Sequence, residues 1–439
     1  MDHSFRLVEL EESPPKRAAQ WYAICFVLGF LAMLGWDWYM RFDRYEWQNR
    51  LLDRPRRPAA ERLDRPLFTT NHLAASRGGD LTDLIGIQSA IDRFAEERPA
   101  AIQIWDRHGF MNRPFEPDQA PDVVVLGDSF MAYGTIDTHF SSQLADRTGL
   151  FVLNHALAGH GPFIPVYRFL ADERFWSQPP QVIVWGFAER EISGIYFQRF
   201  YRELQWRGRR REPEETADLT PAALPQRSRM RWNALKPQLL KDSLPDTSYI
   251  AQTGQWLWNR IRFLAFGQLN PWVVVADRDV LGTDMLFFEY HIETLLWPES
   301  ERDAPRVAEV IAAFRDHCLS RGIELIVVLI PEKEQVYRDA IPRAVLPPSA
   351  DIPPSVLWEL TERLEAKSVN TVNLLPHFQA ATEAGIWVYH RDDTHWNEKG
   401  IGIAADLVAE RLTAPLAMQQ GRASSPASAG LRRGTPSEP

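Results

Sequence analysis

Five short runs, almost free of polar interruption, limit what this chain can fold into: residues 122–127, 150–154, 181–187, 323–330 and 371–375. A strand covered on both faces loses the alternation of apolar and polar side chains, so such runs read as buried parallel strands. Helix-like stretches at 138–147, 307–321, 355–367 and 398–412 separate most of them. Short apolar strands alternating with helices predict an α/β fold, a doubly wound parallel sheet of about five strands with helices on both faces. Chemistry in such sheets sits at the carboxyl ends of the strands.

The first run ends in Gly127-Asp128-Ser129-Phe130. A serine on a tight strand-to-helix turn can be surrounded by backbone N–H groups suited to an oxyanion, which makes Ser129 the candidate nucleophile. A hydroxyl needs a base within hydrogen-bond reach, and the late string Asp392-Asp393-Thr394-His395-Trp396 offers one. His395 is the favoured general base. Either Asp393 or Asp392 can accept from its Nδ1–H and stabilise the imidazolium. His139, in a second Asp-Thr-His string at 137–139, is a decoy: it falls where a helix begins, with Asp137 or Thr138 as its N-cap.

Oxyanion donors are expected from the Ser129 N–H and from Gly159, in the turn Asn154-His155-Ala156-Leu157-Ala158-Gly159 after the second run. A glycine there also suits a plain turn needing φ > 0. Arg190, after the third run, either binds substrate or holds the site through ion pairs. The histidines and cysteines lack zinc-like spacing and no Gly-rich phosphate loop occurs, so neither a metal site nor a cofactor is predicted. The two cysteines, Cys25 and Cys318, give no signal of redox compartment.

Residues 18–36 carry no charge and span about 28 Å as a helix, close to the hydrocarbon thickness of a bilayer. Trp21 and Tyr22 at one end, and Trp36, Trp38 and Tyr39 at the other, suit two interfacial belts. The small residues of a signal-peptidase site are missing after it, so 18–40 reads as an uncleaved single-pass anchor. Six arginines follow within about 20 residues, which by the positive-inside rule puts the C-terminal part in the cytoplasm. A net charge of −9 with no long basic run argues against nucleic-acid binding.

The rest of the organisation follows from composition. Residues 1–17 read as a flexible segment, 41–100 as an Arg-rich, helix-leaning linker, 101–413 as the sheet domain and 414–439 as a disordered tail. Between 191 and 303 the strand–helix rhythm breaks in a tryptophan-rich insert with Trp206, Trp232, Trp256, Trp258, Trp272 and Trp297. It suits a lid or substrate platform, or a helical subdomain with buried tryptophans.

Taken together, Gly127-Asp128-Ser129-Phe130, the Asn154–Gly159 turn and Asp392/Asp393…His395 resemble the SGNH (GDSL-type) hydrolase superfamily over roughly residues 101–413. Gly-Asp-Ser-Phe, Asp-Thr-His-Trp and the segment Ile330-Pro331-Glu332-Lys333…Tyr337 are closer to its alginate O-acetyltransferase-like branch. That resemblance implies a periplasmic or extracytoplasmic domain on one N-terminal helix in the inner (cell) membrane, opposite to the arginine count. It also implies a polysaccharide acceptor and a multi-spanning membrane acyltransferase as acyl supplier. Two departures stand out. Here Asp-x-His follows the serine rather than preceding it, as in ordinary SGNH hydrolases. The third-block asparagine is replaced by Phe187-Ala188-Glu189-Arg190, so the oxyanion hole has two donors or the help of Arg190. The branch places its Asp two positions before His, which favours Asp393; the wider superfamily places it three before, which favours Asp392.

These readings lead to a membrane-anchored, serine-dependent O-acyltransferase, most simply O-acetyl, acting on an exopolysaccharide or cell-envelope polymer. An esterase or deacetylase with the same triad is the first rival. A non-catalytic polymer-binding assembly subunit is the second.

Overall fold

A computed structural model describes most of residues 67–202, 257–296 and 303–423, with side chains to 412, and a few positions between 25 and 32. Contacts divide the chain into two compact units: Met1–Glu61 with Thr216–Gln268, and Arg62–Glu215 with Leu269–Pro439. In the first, the described residues include helical positions 27–29 and 261–266. The expected anchor lies almost wholly outside the described residues, and no helix among those described is long and apolar enough to cross a membrane.

The second unit holds the sheet. Each of the five apolar runs forms one parallel strand: β1 (Val123–Gly127), β2 (Val152–Asn154), β3 (Val182–Ala188), β4 (Glu324–Ile330) and β5 (Asn370–Asn373). Their spatial order is β2-β1-β3-β4-β5. The chain steps outward from β1 to β2, then returns past β1 to β3, so the winding reverses between β1 and β3. The crevice at the carboxyl ends beside such a reversal is where doubly wound sheets place their ligands. Ser129 lies there, just past the end of β1.

The unbroken apolar character of β1 and β3 has its reason in burial, for every residue of both strands is buried. Trp185 of β3 is fully buried, and its indole N–H donates to Pro162 O at 3.2 Å, satisfying its one polar atom. Helix α1 (Phe140–Thr148) packs with α4 (Glu398–Ala423), and α2 (Ala304–Leu319) with α3 (Val356–Ala366). Right-handed crossovers running in opposite directions from the reversal put these two pairs on opposite faces. Side-chain caps start the helices: Asp303 Oδ1 accepts from Arg306 N at 3.1 Å, and Ser355 Oγ from Leu357 N at 3.1 Å.

Three parts of the organisation differ from the sequence reading. Residues 67–100, within the expected linker, carry strands and a helix in the same unit as the sheet. Phe68–Leu73 pairs antiparallel with Ala101–Asp106, Ser76–Arg77 pairs with Glu97–Arg98, and Asp80–Ile85 is helical. Their polar, Arg-rich character follows from exposure, since β-strand Phe68–Leu73 is almost entirely exposed. In the tryptophan-rich insert, 203–256 lies outside the described residues, as do Trp206, Trp232, Trp256 and Trp297. Its described end forms a hairpin, Val273–Val275 with Leu286–Phe288, followed by helix Glu289–Leu295, and both Trp258 and Trp272 are exposed. Finally, α4 runs on to Ala423, past the expected start of the tail.

Gly127 and Gly186 face one another across β1 and β3, and Met131 covers both. A Cβ at Gly127 would come within 2.5 Å of the Gly186 carbonyl, which is main chain and has little room to yield. Gly127→Ala should therefore cost about 1–3 kcal/mol, the usual range for overpacking. Urea unfolding of the two proteins measures it, and an unchanged midpoint would contradict this close packing.

Candidate active site

The turn after β1 is built by Asp128. Its Oδ1 accepts from Phe130 N at 2.9 Å, capping the single helical turn Ser129–Ala132 and holding the serine at its start. Burial raises the Asp128 carboxyl above its ordinary value, with Arg190 opposing. The late loop reaches this turn through Trp396, whose indole N–H donates to Phe130 O at 2.9 Å. Two strings 266 positions apart are thereby tied together beside their reactive groups.

His395 Nε2 lies 2.9 Å from Ser129 Oγ, and His395 Nδ1 lies 2.8 Å from Asp393 Oδ1. Asp393 also accepts from the His395 N–H at 3.0 Å. Burial works to raise the Asp393 carboxyl, yet the His395 ring and N–H outweigh it and hold the group well below the usual carboxylate range. Asp392, the alternative, turns the other way. It is fully buried, meets Arg98 Nη2 at 2.9 Å and accepts from Glu96 N at 2.8 Å. Asp393 is the carboxylate brought to the imidazole.

Several contributors to this geometry carry no motif. Tyr133 lies flat on the His395 ring, 4.6 Å between centroids and 8° from parallel, and its hydroxyl donates to Asp393 Oδ2 at 3.2 Å. Asp80 holds the loop from the N-terminal side: Thr394 N donates to its Oδ1 at 2.8 Å, and Thr394 Oγ1 bonds its other oxygen. Its Oδ2 stands 3.7 Å from His395 Nδ1. Burial and the neighbouring Asp393 raise the Asp80 carboxyl. Glu96 Oε2 meets His390 Nδ1 at 2.6 Å, and Glu96 Oε1 accepts from Arg391 N at 2.8 Å. Only Tyr133 had a usable signal, standing one turn after Ser129. Asp80, Glu96 and Arg98 lie in a segment whose spacing carries no recognisable pattern.

The remaining candidates fall into place as follows. His139 is the N-cap of α1, accepting from Ser142 N at 3.4 Å, and burial pushes its imidazole down to about 3. The capping role expected of Asp137 or Thr138 thus belongs to His139 itself, while Thr138 Oγ1 serves the preceding turn by accepting from Thr135 N. Asn154 is buried and structural, bonding Met111 O and Ala156 N. Gly159 has φ +75° with open space where a Cβ would sit, in a segment tied to β1 by Leu157 N–H donating to Gly127 O. Arg190 is held by Glu332, with Nη1 3.0 Å from each carboxylate oxygen, and its guanidinium lies 5.2 Å from the centre of the Phe130 ring. It is ion-paired beside the Ser129 turn. Lys333 is fully buried and donates from Nζ to Arg391 O at 3.1 Å and Asp393 O at 3.0 Å; burial pushes its ammonium down to about 8.

Comparison with known proteins agrees with these features. The family described as SGNH hydrolase-like domain, acetyltransferase AlgX, matches residues 53–189 and 280–432, more than half of the chain. Probable alginate O-acetylase AlgJ of Pseudomonas aeruginosa is 34% identical over 78 residues, covering 18% of this chain and 19% of that protein. Its counterpart from Pseudomonas putida is 27% identical over 122 residues, covering 26% of this chain and 30% of that protein. The chain thus spans less than a third of the length of these curated relatives. The O-acetyltransferase domain of Pseudomonas putida AlgJ superposes with a TM-score of 0.19 at 23% identity, over 29% of this chain and 43% of that one, too low to inform the fold.

The two neighbouring aspartates should separate in experiment. Asp393→Asn leaves the imidazole without its anionic partner and should lower turnover of an acetyl-ester reporter by about 10,000-fold. Asp392→Asn should instead destabilise the fold by about 1–3 kcal/mol, less than for a fully buried pair because Arg98 keeps 21% of its side chain exposed. Equal losses of turnover in both would overturn the assignment.

Lys333 predicts a pH effect. Its folded pKa of about 8 lies below the ordinary 10.5, so between these values the unfolded chain binds more protons. Stability from this group therefore rises with pH across that window and is flat below it. The slope of unfolding free energy against pH from about 8 to 10.5 should be more positive in the wild type than in Lys333→Met, and parallel slopes would refute it.

Proposed function

The chain belongs to the SGNH hydrolase-like AlgX acetyltransferase family, and from that premise we propose that it is a serine-dependent O-acetyltransferase working through an acyl-enzyme at Ser129. The observation that carries this reading is the continuous hydrogen-bonded line Ser129 Oγ–His395–Asp393 at the winding reversal of the sheet.

In this mechanism His395 Nε2 takes the proton from Ser129 Oγ as the oxygen attacks the acetyl carbonyl carbon of the donor. Asp393 accepts from Nδ1–H and balances the imidazolium. The tetrahedral oxyanion is held by backbone N–H groups, those of Ser129 and Gly159 being the candidates. Collapse breaks the bond to the donor's leaving group, which takes the proton back from His395 and departs, leaving acetyl-Ser129. A sugar hydroxyl then loses its proton to the same imidazole, attacks the acetyl carbon, and regenerates the serine.

The acceptor class follows from the relatives, named as alginate O-acetylases: the proposed acceptor is a hydroxyl of an acidic exopolysaccharide of the alginate kind. The uncharged, tryptophan-flanked stretch 18–36 supports a single-pass anchor, with the catalytic unit outside the cytoplasmic membrane where such a polymer is handled. A multi-spanning membrane acyltransferase would supply the acyl group. Arginines after the stretch oppose this orientation, so an alkaline phosphatase fusion at the C-terminus belongs with the functional test; an inactive fusion would reverse the topology.

The purified full chain, given an acetyl-ester reporter and an uronate polysaccharide, should acetylate the polymer, as read by mass spectrometry. Ser129→Ala should reduce transfer by roughly a million-fold, the scale for removing a serine nucleophile. Serine-dependent release of acetate with none on the polymer would favour the esterase, and equal transfer by Ser129→Ala would remove the acyl-enzyme altogether.

A further inference from the structure

Behind the Ser129 turn lies a second group of ionisable side chains that the proposed chemistry does not use. His291, from helix Glu289–Leu295, meets Glu332 and Glu334, which flank Lys333 after β4. His291 is 5% exposed and both glutamates are fully buried. Imidazole Nδ1 lies 3.3 Å from Glu332 Oε2 and 3.6 Å from Glu334 Oε2, and the three donor atoms fall within 4.8 Å of one another.

These separations suit a shared cation better than direct hydrogen bonds. Among the described residues, Nδ1 of His291 and Oε2 of Glu334 are buried and find no well-formed hydrogen bond, facing only one another and Glu332 at 3.3–3.6 Å, a costly state for polar atoms in a protein interior. Two ligands bound at the roughly 2.0–2.1 Å usual for zinc, in tetrahedral array, stand about 3.3–3.4 Å apart. The observed distances bracket that value closely on one side and exceed it slightly on the other.

The other oxygens are already engaged without closing the gap. Glu334 Oε1 accepts from Phe288 N at 3.0 Å. Both Glu332 oxygens meet Arg190 Nη1 at 3.0 Å, which leaves Oε2 a lone pair. Charge points the same way. Glu332, Glu334, Glu191 and Asp128 crowd around Arg190 and Lys333, and burial with the neighbouring Asp128 pushes Glu191 up to about 7.

We propose that His291, Glu332 and Glu334 form a structural zinc site, with one imidazole, two carboxylates and a water completing the tetrahedron. One nitrogen and two oxygens suit zinc's borderline character. Because Glu332 also holds Arg190, which lies over Phe130 beside the serine, the ion would brace the support beneath Ser129. Its ligands come from two distant segments, so no local spacing in the sequence announces it.

The test uses the purified full chain, stripped with EDTA, dialysed, and titrated with Zn²⁺ while metal content and melting temperature are followed. The wild type should rebind about one zinc per chain and melt higher on binding. Glu334→Gln keeps the acceptor for Phe288 N but weakens the ligand, and should lower zinc affinity by at least roughly 100-fold, the upper end for disturbing even a supporting partner of a metal ligand. A stripped wild type that binds no zinc and keeps its melting temperature would overturn the site in favour of an imidazolium bridging the two glutamates. So would equal zinc affinity in the wild type and Glu334→Gln. Were the variant unable to fold, the wild-type titration decides alone.

Discussion

Two adjacent buried carboxylates with different main partners hold the whole site in register. Asp392 turns to Arg98 and Asp393 to His395, so a single dipeptide is pinned from both sides. A buried carboxylate without a partner is expensive, and neighbouring anions would repel. The arrangement is stable because Arg98 reaches both, Asp392 at 2.9 Å and Asp393 at 3.5 Å, and Asp393 has the His395 ring besides. The segment from Gly79 to Arg98 supplies the outer half of that compensation, through Arg98, Glu96 N and Asp80 N. Without that segment Asp392 would lose its countercharge, and the loop that carries Asp393 and His395 would lose its outer support.

The sheet supplies the other half. Because the winding reverses between the parallel strands β1 and β3, the connections leaving their carboxyl ends run to opposite sides and leave a crevice between them. Gly127 and Gly186 let these strands and Met131 pack closely under it. The return loop docks there through Trp396 and Lys333, which bond main-chain carbonyls, whatever side chains stand beside them. Anchoring through main chain explains how a loop placed after the serine in sequence can present Asp and His as well as one placed before it.

Fold and site were legible to different depths. Five apolar runs translated directly into five strands because buried parallel strands carry their signature in consecutive residues. Ser129 and His395 were legible for a similar reason, each standing in a short string with a characteristic turn or neighbour. The choice between Asp392 and Asp393 was not, because it depends on Arg98, nearly three hundred positions earlier, which holds Asp392 at 2.9 Å and reaches Asp393 only at 3.5 Å. Asp80 and Glu96 were missed on the same account: their partners are main-chain N–H groups and a histidine of a distant loop. His139 was read correctly as standing at a helix start, but the cap is its own imidazole, a role that burial permits by keeping the ring neutral. The linker reading of 67–100 failed because exposed strands tied down by polar contacts lack an apolar pattern.

The electrostatics beneath the serine bear on how an oxyanion is held. Arg190 is the cation nearest the turn to which sequence alone could assign a substrate role, yet its guanidinium is committed to Glu332 and faces the Phe130 ring. Its charge offsets that of buried Asp128, whose carboxylate builds the turn by capping Phe130 N. Preorganised N–H dipoles in a site partly shielded from water stabilise a tetrahedral oxyanion without reorganising as charge develops. Where the resemblance to the wider superfamily would put an asparagine after the third strand, this chain has Arg190, ion-paired to Glu332 and beside the Phe130 ring. Glu332, held in turn by Glu189 and facing His291, keeps Arg190 in that place.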